Sequence, residues 1–210
     1  MWKDLPEQWK AVFCEAWDAM KSGSVPSGAV IYDKEGNLLA GSHNGFKNTD
    51  VNPYTSHSCI NAINQLSLRN VESNSGLTIY SSMEPCFMCL GAIAISNIKE
   101  IHSASRDLFY GATHHLYDDA ALIAADISCH YESGDIEFFQ IVLQSYFEVK
   151  RVSERNSPHA LECYRRTNSS AVKLAEKLYL RRTLQQMSYQ DHPCSEVYDM
   201  IMKLKDENQF

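Results

Sequence analysis

Three metal-type ligands constrain this chain most: His57, and the pair Cys86 and Cys89, with 28 residues (58–85) between the histidine and the first cysteine. The cysteines form Pro85-Cys86-x-x-Cys89, directly after a β-favouring run, Leu77–Ser82, and at the start of an apolar run, Cys86–Ser96. Proline is well tolerated at the first position of a helix, so Pro85 is expected to open that run as a helix. His57 stands just before a second apolar-periodic stretch, Ile60–Leu68. A fold that uses all three residues must bring the starts of two helices together. Positive helix ends favour thiolate over thiol. One imidazole and two thiolates are a donor set that zinc accepts, and a catalytic site leaves the fourth position to water. The plain alternative is two buried, inert cysteines and an unrelated histidine.

The rest of the pattern supplies a frame for that site. Residues 5–21 place Trp9, Val12, Phe13, Ala16 and Met20 at helical spacing behind Pro6, which predicts a first amphipathic helix. Gly28–Tyr32 and Leu38–Ala40 flank a polar turn and predict a hairpin. A polar loop, Ser42–Ser56, follows. Ile98–Ala104 reads as a fourth strand and Phe138–Leu143 as a fifth, with a partly helical stretch, Ala112–Asp126, between them. Strands alternating with helices after a hairpin predict an α/β fold, a mixed five-stranded sheet flanked by helices. From Ser169 the character changes: 169–188 and 195–205 read as two helices. The expected organisation is a main unit over 1–168 and a helical C-terminal extension over 169–210.

Composition narrows the function classes. The formal charge is −7, which disfavours a general polyanion-binding surface. Apolar runs such as Ala120–Ala125 fall far short of a membrane span of ~20 residues. The opening segment, MWKDLPEQWK, has no apolar core of a secretory signal. Seven cysteines, an odd number, in a chain with that opening favour reduced thiols, a metal site and a cytoplasmic location. Asn168-Ser169-Ser170 then reads as a polar break rather than a glycosylation site.

Further segments carry a resemblance. Ser27-Gly28-Ala29-Val30-Ile31, Gly41-Ser42-His43-Asn44, Ser56-His57-Ser58-Cys59 and Met83–Ile93 (MEPCFMCLGAI) resemble the zinc-dependent nucleobase and nucleoside deaminases, whose signature is H-x-E followed by P-C-x-x-C. The nearest branch by motif is guanine deaminase, with tRNA adenosine deaminase next. The likeness spans roughly 5–168. It implies a cytidine deaminase-like fold, one zinc on His57, Cys86 and Cys89, and hydrolytic deamination of a small-molecule nucleobase or nucleoside, a purine such as guanine above all. It also implies a homodimer. Water activated by zinc is the family's nucleophile, and the Glu of H-x-E carries the protons.

Here that position is Cys59. A general acid–base group contributes ~10²–10⁴ in rate, and a thiol offers neither the reach nor the second oxygen of a carboxylate. Activity is therefore expected to be strongly reduced or lost. Four readings stay open at this point. The chain is a non-catalytic binding or partner subunit, as one subunit of the eukaryotic tRNA adenosine deaminase lacks the same Glu. It hydrolyses weakly with another acid–base group. Cys59 is a fourth zinc ligand. Or Cys59 is an engineered replacement in a working enzyme. Glu84, the nearest carboxylate in sequence, is expected to serve backbone N–H groups instead.

Lesser candidates complete the reading. The resemblance makes Asn44 a substrate contact, and Phe87 is a candidate wall of the base pocket. Asp118, Asp119 or Asp107 is the candidate acid for a purine N–H edge. His114-His115 beside Asp118-Asp119 reads as a solvated loop, and His43, His102, His130, His159 and His192 have no spacing partners. Arg165, Arg166, Lys173, Lys177, Arg181 and Arg182 make the C-terminal region basic, but Leu174, Leu178, Arg181 and Leu184 at helical spacing point to a packed helix with a charged outer side. Nucleic acid is the less favoured partner.

Overall fold

A computed structural model describes residues 1–66, 76–155 and 158–207. A short 3-10 turn, Trp2–Asp4, precedes α1 (Glu7–Lys21), whose buried stripe of Trp9, Val12, Phe13, Ala16 and Trp17 follows the expected helical spacing. The hairpin strands are β1 (Gly28–Tyr32) and β2 (Leu38–His43). There follow α2 (Ser58–Gln65), β3 (Thr78–Ser81), α3 (Phe87–Ile95) and β4 (Glu100–Ser103). Residues 67 and 68 of the expected second helix lie outside the described residues. The stretch expected to be partly helical holds a 3-10 turn, Thr113–Tyr117, and α4 (Ala120–Ala125). Then come β5 (Ser128–Tyr131), α5 (Asp135–Arg155), α6 (His159–Thr167), α7 (Ser169–Leu180), α8 (Thr183–Tyr189) and α9 (Cys194–Asp206). No helix among the described residues is long and apolar enough to cross a membrane.

The sheet has five strands in the order β2-β1-β3-β4-β5, antiparallel on the hairpin side and parallel from β3 to β5. It is the mixed, helix-flanked sheet the sequence predicts, with one strand misplaced. Phe138–Leu143 is not a strand but part of α5. The error has a physical cause. α5 packs against α7 on one side and α1 on another, so Phe138, Phe139, Gln140, Ile141, Val142 and Leu143 are all buried. A helix buried all round shows a continuous apolar run, which periodicity alone does not separate from an internal strand. The true fifth strand, Ser-Cys-His-Tyr, lies at the sheet edge, is largely polar and has no residue fully buried.

Two cores flank the sheet. Val30 and Tyr32 of β1 join Trp9, Phe13 and Trp17 of α1 and the buried faces of α5, α6, α7 and α9. Ala29 and Ile31, on the opposite face, join Cys59 and Ile63 of α2 and Leu90 and Ile93 of α3. Gly28 allows α1 to approach β1 closely: a Cβ there would stand 2.3 Å from the Val12 carbonyl oxygen. The helix expected over 169–188 is broken in two, because Arg182 adopts a left-handed conformation (φ 53°) between α7 and α8. Asn168 caps α7, its side chain accepting from the Ala171 N–H at 3.1 Å. Helices α7 and α9 are not loosely attached: Leu174, Leu178, Val197, Tyr198 and Ile201 are buried with α1 and α5.

Candidate metal centre and cavity

Two helix starts converge as the spacing requires. His57 is the N-cap of α2 and Cys86 the N-cap of α3, with Cys89 in the first turn of α3. Pro85 therefore lies just before the helix rather than at its first position. His57 Nδ1 stands 3.4 Å from Cys86 Sγ and 3.6 Å from Cys89 Sγ, and the two sulfurs are 3.6 Å apart. With Zn–S of ~2.3 Å and Zn–N of ~2.0–2.1 Å, tetrahedral ligands stand roughly 3.5–3.8 Å from one another. The donor set and its spacing fit zinc. Hydrogen bonding from Cys89 and then from His57 holds the Cys86 thiol down at about 4 against the cost of burial. Contact with Cys59, then with Cys86, and burial push the Cys89 thiol well up, and the contact with Cys86 raises His57. Two sulfurs and an imidazole nitrogen at these separations are an arrangement that a divalent cation would complete.

Cys59 lies in the first turn of α2, buried, with its Sγ 3.5 Å from Ser81 Oγ. A contact with Cys89 lowers its thiol, opposed by burial. It is not among the convergent ligand atoms of His57, Cys86 and Cys89, which contain no carboxylate either. Glu84 is committed elsewhere. Its Oε2 accepts from the Asp107 N–H at 3.1 Å, and its Oε1 accepts from the Thr113 N–H at 3.2 Å and from the Thr113 hydroxyl. It holds the loop after β4 onto the start of α3, as expected of a carboxylate serving backbone donors.

The cluster opens into a cavity of about 260 Å³. Asn44 is in its wall, with its Oδ1 accepting from the Phe46 N–H at 3.0 Å. Of the three candidate acids, Asp107 lies in the wall; burial raises its carboxyl, and it accepts from the Phe109 and Tyr110 N–H groups, each at 3.0 Å. The structure does not bring Phe87 or Asp118 there. Phe87 begins α3 on its outer side, 66% exposed, with its ring 4.7 Å from that of His115. Asp118 accepts from His115 at 2.9 Å on the surface, and Asp119 caps α4.

The far wall comes from α5, a helix that reading Phe138–Leu143 as a strand concealed. Gln144, Glu148 and Arg151 line the cavity at i, i+4 and i+7, one face of that helix. Glu148 is 3% exposed, with its carboxyl raised by burial while Arg151 Nη1 donates to it at 3.0 Å. Among the described residues, Gln144 Oε1 is a buried acceptor with no donor. Polar residues at i, i+4 and i+7 directly after the apolar run 138–143 are the signal that could have found this wall.

The comparisons agree with this geometry. Residues 6–105 match the family model of the cytidine and deoxycytidylate deaminase zinc-binding region. A tRNA-specific adenosine deaminase of Rickettsia felis is 34% identical over 100 residues, which are 47% of this chain and 68% of that protein. The chain belongs to the cytidine and deoxycytidylate deaminase zinc-binding family. Two solved structures share the fold of this deaminase-family chain. One, from a study of A-to-I editing by tRNA:A34 deaminases, has a TM-score of 0.56 at 24% identity, covering 65% of this chain and 98% of the other. The guanine deaminase of Nitrosomonas europaea has a TM-score of 0.51 at 18% identity, covering 69% and 85%.

Proposed function

We propose that this chain is a zinc-binding member of the deaminase family that binds a purine base or nucleoside in the cavity and deaminates it weakly or not at all. The observation that carries the reading is Cys59, buried two residues after His57 where the family's proton-carrying Glu is expected, with no carboxylate in the ligand cluster. In this reading His57, Cys86 and Cys89 hold the zinc. When bound, zinc would supply a Lewis acid that makes water nucleophilic near neutral pH. Cys59, shorter than Glu and outside the cluster, leaves the fourth position open and does not replace the missing proton carrier.

The cavity wall favours a ligand edge that donates hydrogen bonds. Gln144 Oε1 lacks a donor among the described residues, so a ring N–H or amino group of a ligand would satisfy the acceptor that the cavity wall leaves unmet, beside the carboxylates of Glu148 and Asp107, which already hold protein donors. On its Watson–Crick edge guanine offers a ring N–H and an amino group, whereas adenine offers an amino group alone. Asn44, Gln144 and Glu148 contact the substrate in this reading, while Phe87 and Asp118 lie outside the cavity wall. The proposed boundary at 168/169 divides the family-like part from a helical extension folded onto it. A homodimer and a cytoplasmic location remain part of the proposal. The net charge of −7 weighs against a tRNA-sized polyanion as partner.

Calorimetric titration of the zinc-loaded chain with guanine, adenine and their nucleosides tests the reading. Binding of a purine with ammonia release at or below the blank supports it. Absence of binding by every purine, or fast turnover by the unaltered chain, overturns it.

A further inference from the structure

We propose that Glu100, His102 and His130 form a second metal site, facing solvent, for a divalent transition-metal ion. The sequence separates the two histidines widely, and only the sheet joins them. In the parallel register His102 of β4 lies beside His130 of β5, as Glu100 lies beside Ser128. Side chains alternate across a sheet. Ile101 points into the core with α2 and α3, so Glu100 and His102 face the other way. The cluster is thus on the opposite face from the cysteine centre.

The three ligand atoms already converge. Glu100 Oε1 is 3.0 Å from His102 Nε2 and 3.7 Å from His130 Nε2, and all three lie within 4.8 Å of one another. Ligands at ~2.0–2.2 Å around a tetrahedral ion stand roughly 3.3–3.5 Å apart, which these two distances bracket. The surroundings hold the donors in place. The Tyr80, His102 and His130 rings stack in series, with centroids 4.7 and 4.8 Å apart. The other carboxylate oxygen of Glu100 accepts from the Thr78 hydroxyl at 3.2 Å, leaving Oε1 to the imidazoles.

The donor set selects the ion. Two imidazole nitrogens and one carboxylate oxygen suit zinc, nickel, copper or cobalt, whereas calcium and magnesium take oxygen ligands. Side-chain exposures of 45% for Glu100, 21% for His102 and 53% for His130 leave the remaining coordination positions to water. Binding is therefore weaker than at the cysteine centre, and the fold does not depend on it.

Equilibrium dialysis of the full chain against zinc chloride tests the proposal independently of the cysteine centre. The H102Q/H130Q variant is expected to hold one zinc fewer than the unaltered chain, with the same circular dichroism spectrum. In the unaltered chain, zinc added beyond the first equivalent is expected to shift the imidazole NMR signals of His102 and His130 together, while His159 and His192 stay fixed. Equal zinc content in the two proteins, or unmoved His102 and His130 signals, would overturn the site.

Discussion

Deleting residues 169–210 is expected to unfold the remaining chain, although the family resemblance lies wholly before them. Tyr198 of α9 packs on Phe13 and Phe139, with ring centroids 6.1 and 4.9 Å away. Tyr179 of α7 meets Tyr146 edge-on at 5.5 Å, and the Trp17 indole N–H donates to the His192 carbonyl at 2.8 Å. Truncation would bare Phe13, Trp17, Phe139 and Tyr146, all of which stay in the shortened chain and must still be ordered. Exposing a buried side chain of this size costs about 1.5–3 kcal/mol. Four of them reach ~6–12 kcal/mol, as large as the net stability of a typical domain, about 5–15 kcal/mol. The assay is thermal unfolding of residues 1–168 beside the full chain, followed by circular dichroism and dye binding to exposed apolar surface. Loss of a cooperative transition and strong dye binding are expected. A cooperative transition within ~4 °C of the full chain, a shift worth only about 1 kcal/mol, would refute the packing argument.

Two further predictions follow from single contacts. Glu84→Ala removes the acceptor of the Asp107 and Thr113 N–H groups and should cost about 2–4 kcal/mol in urea unfolding, with faster amide exchange over 107–113. His43 Nδ1 bonds Glu15 at 2.7 Å, and this bond raises the imidazole's affinity for its proton. A raised folded-state pKa stabilises fully below the unfolded value of ~6.5 and is lost as pH rises through the folded value. Glu15→Gln should therefore lower stability more at pH ~5.5 than at pH ~8.5, and the His43 NMR midpoint should fall.

The convergence of the candidate metal ligands was legible because the pattern is local: Pro85, Cys86 and Cys89 stand at one helix start, and His57 at another. Hairpin and early strands were legible for a similar reason, since β1 alternates between two cores and β2 follows a polar turn. What failed depends on distant context. The stretch 138–146 of α5 is buried on every side by its neighbours, so its apolar run reads as a strand, and that hid Gln144, Glu148 and Arg151 as a cavity wall. Phe87 is a candidate wall only by its adjacency to Cys86, but Cys86 caps α3 while Phe87 begins it, and the Phe87 ring lies on the exposed side. His102 and His130 looked isolated because strand register, which no local pattern encodes, brings them together.

The central claim is that Cys59 deprives an otherwise intact site of its proton carrier. Ammonia release from the zinc-loaded chain, run beside Cys59→Glu on guanine, adenine, cytosine and their nucleosides, tests it most directly. Because Cys59 lines the cavity, a longer side chain there has space to extend into. The expected result is turnover by the Glu variant at ~10²–10⁴ times the rate of the unaltered chain on at least one purine. Comparable rates from the two proteins would contradict the claim and assign the proton transfers to another residue.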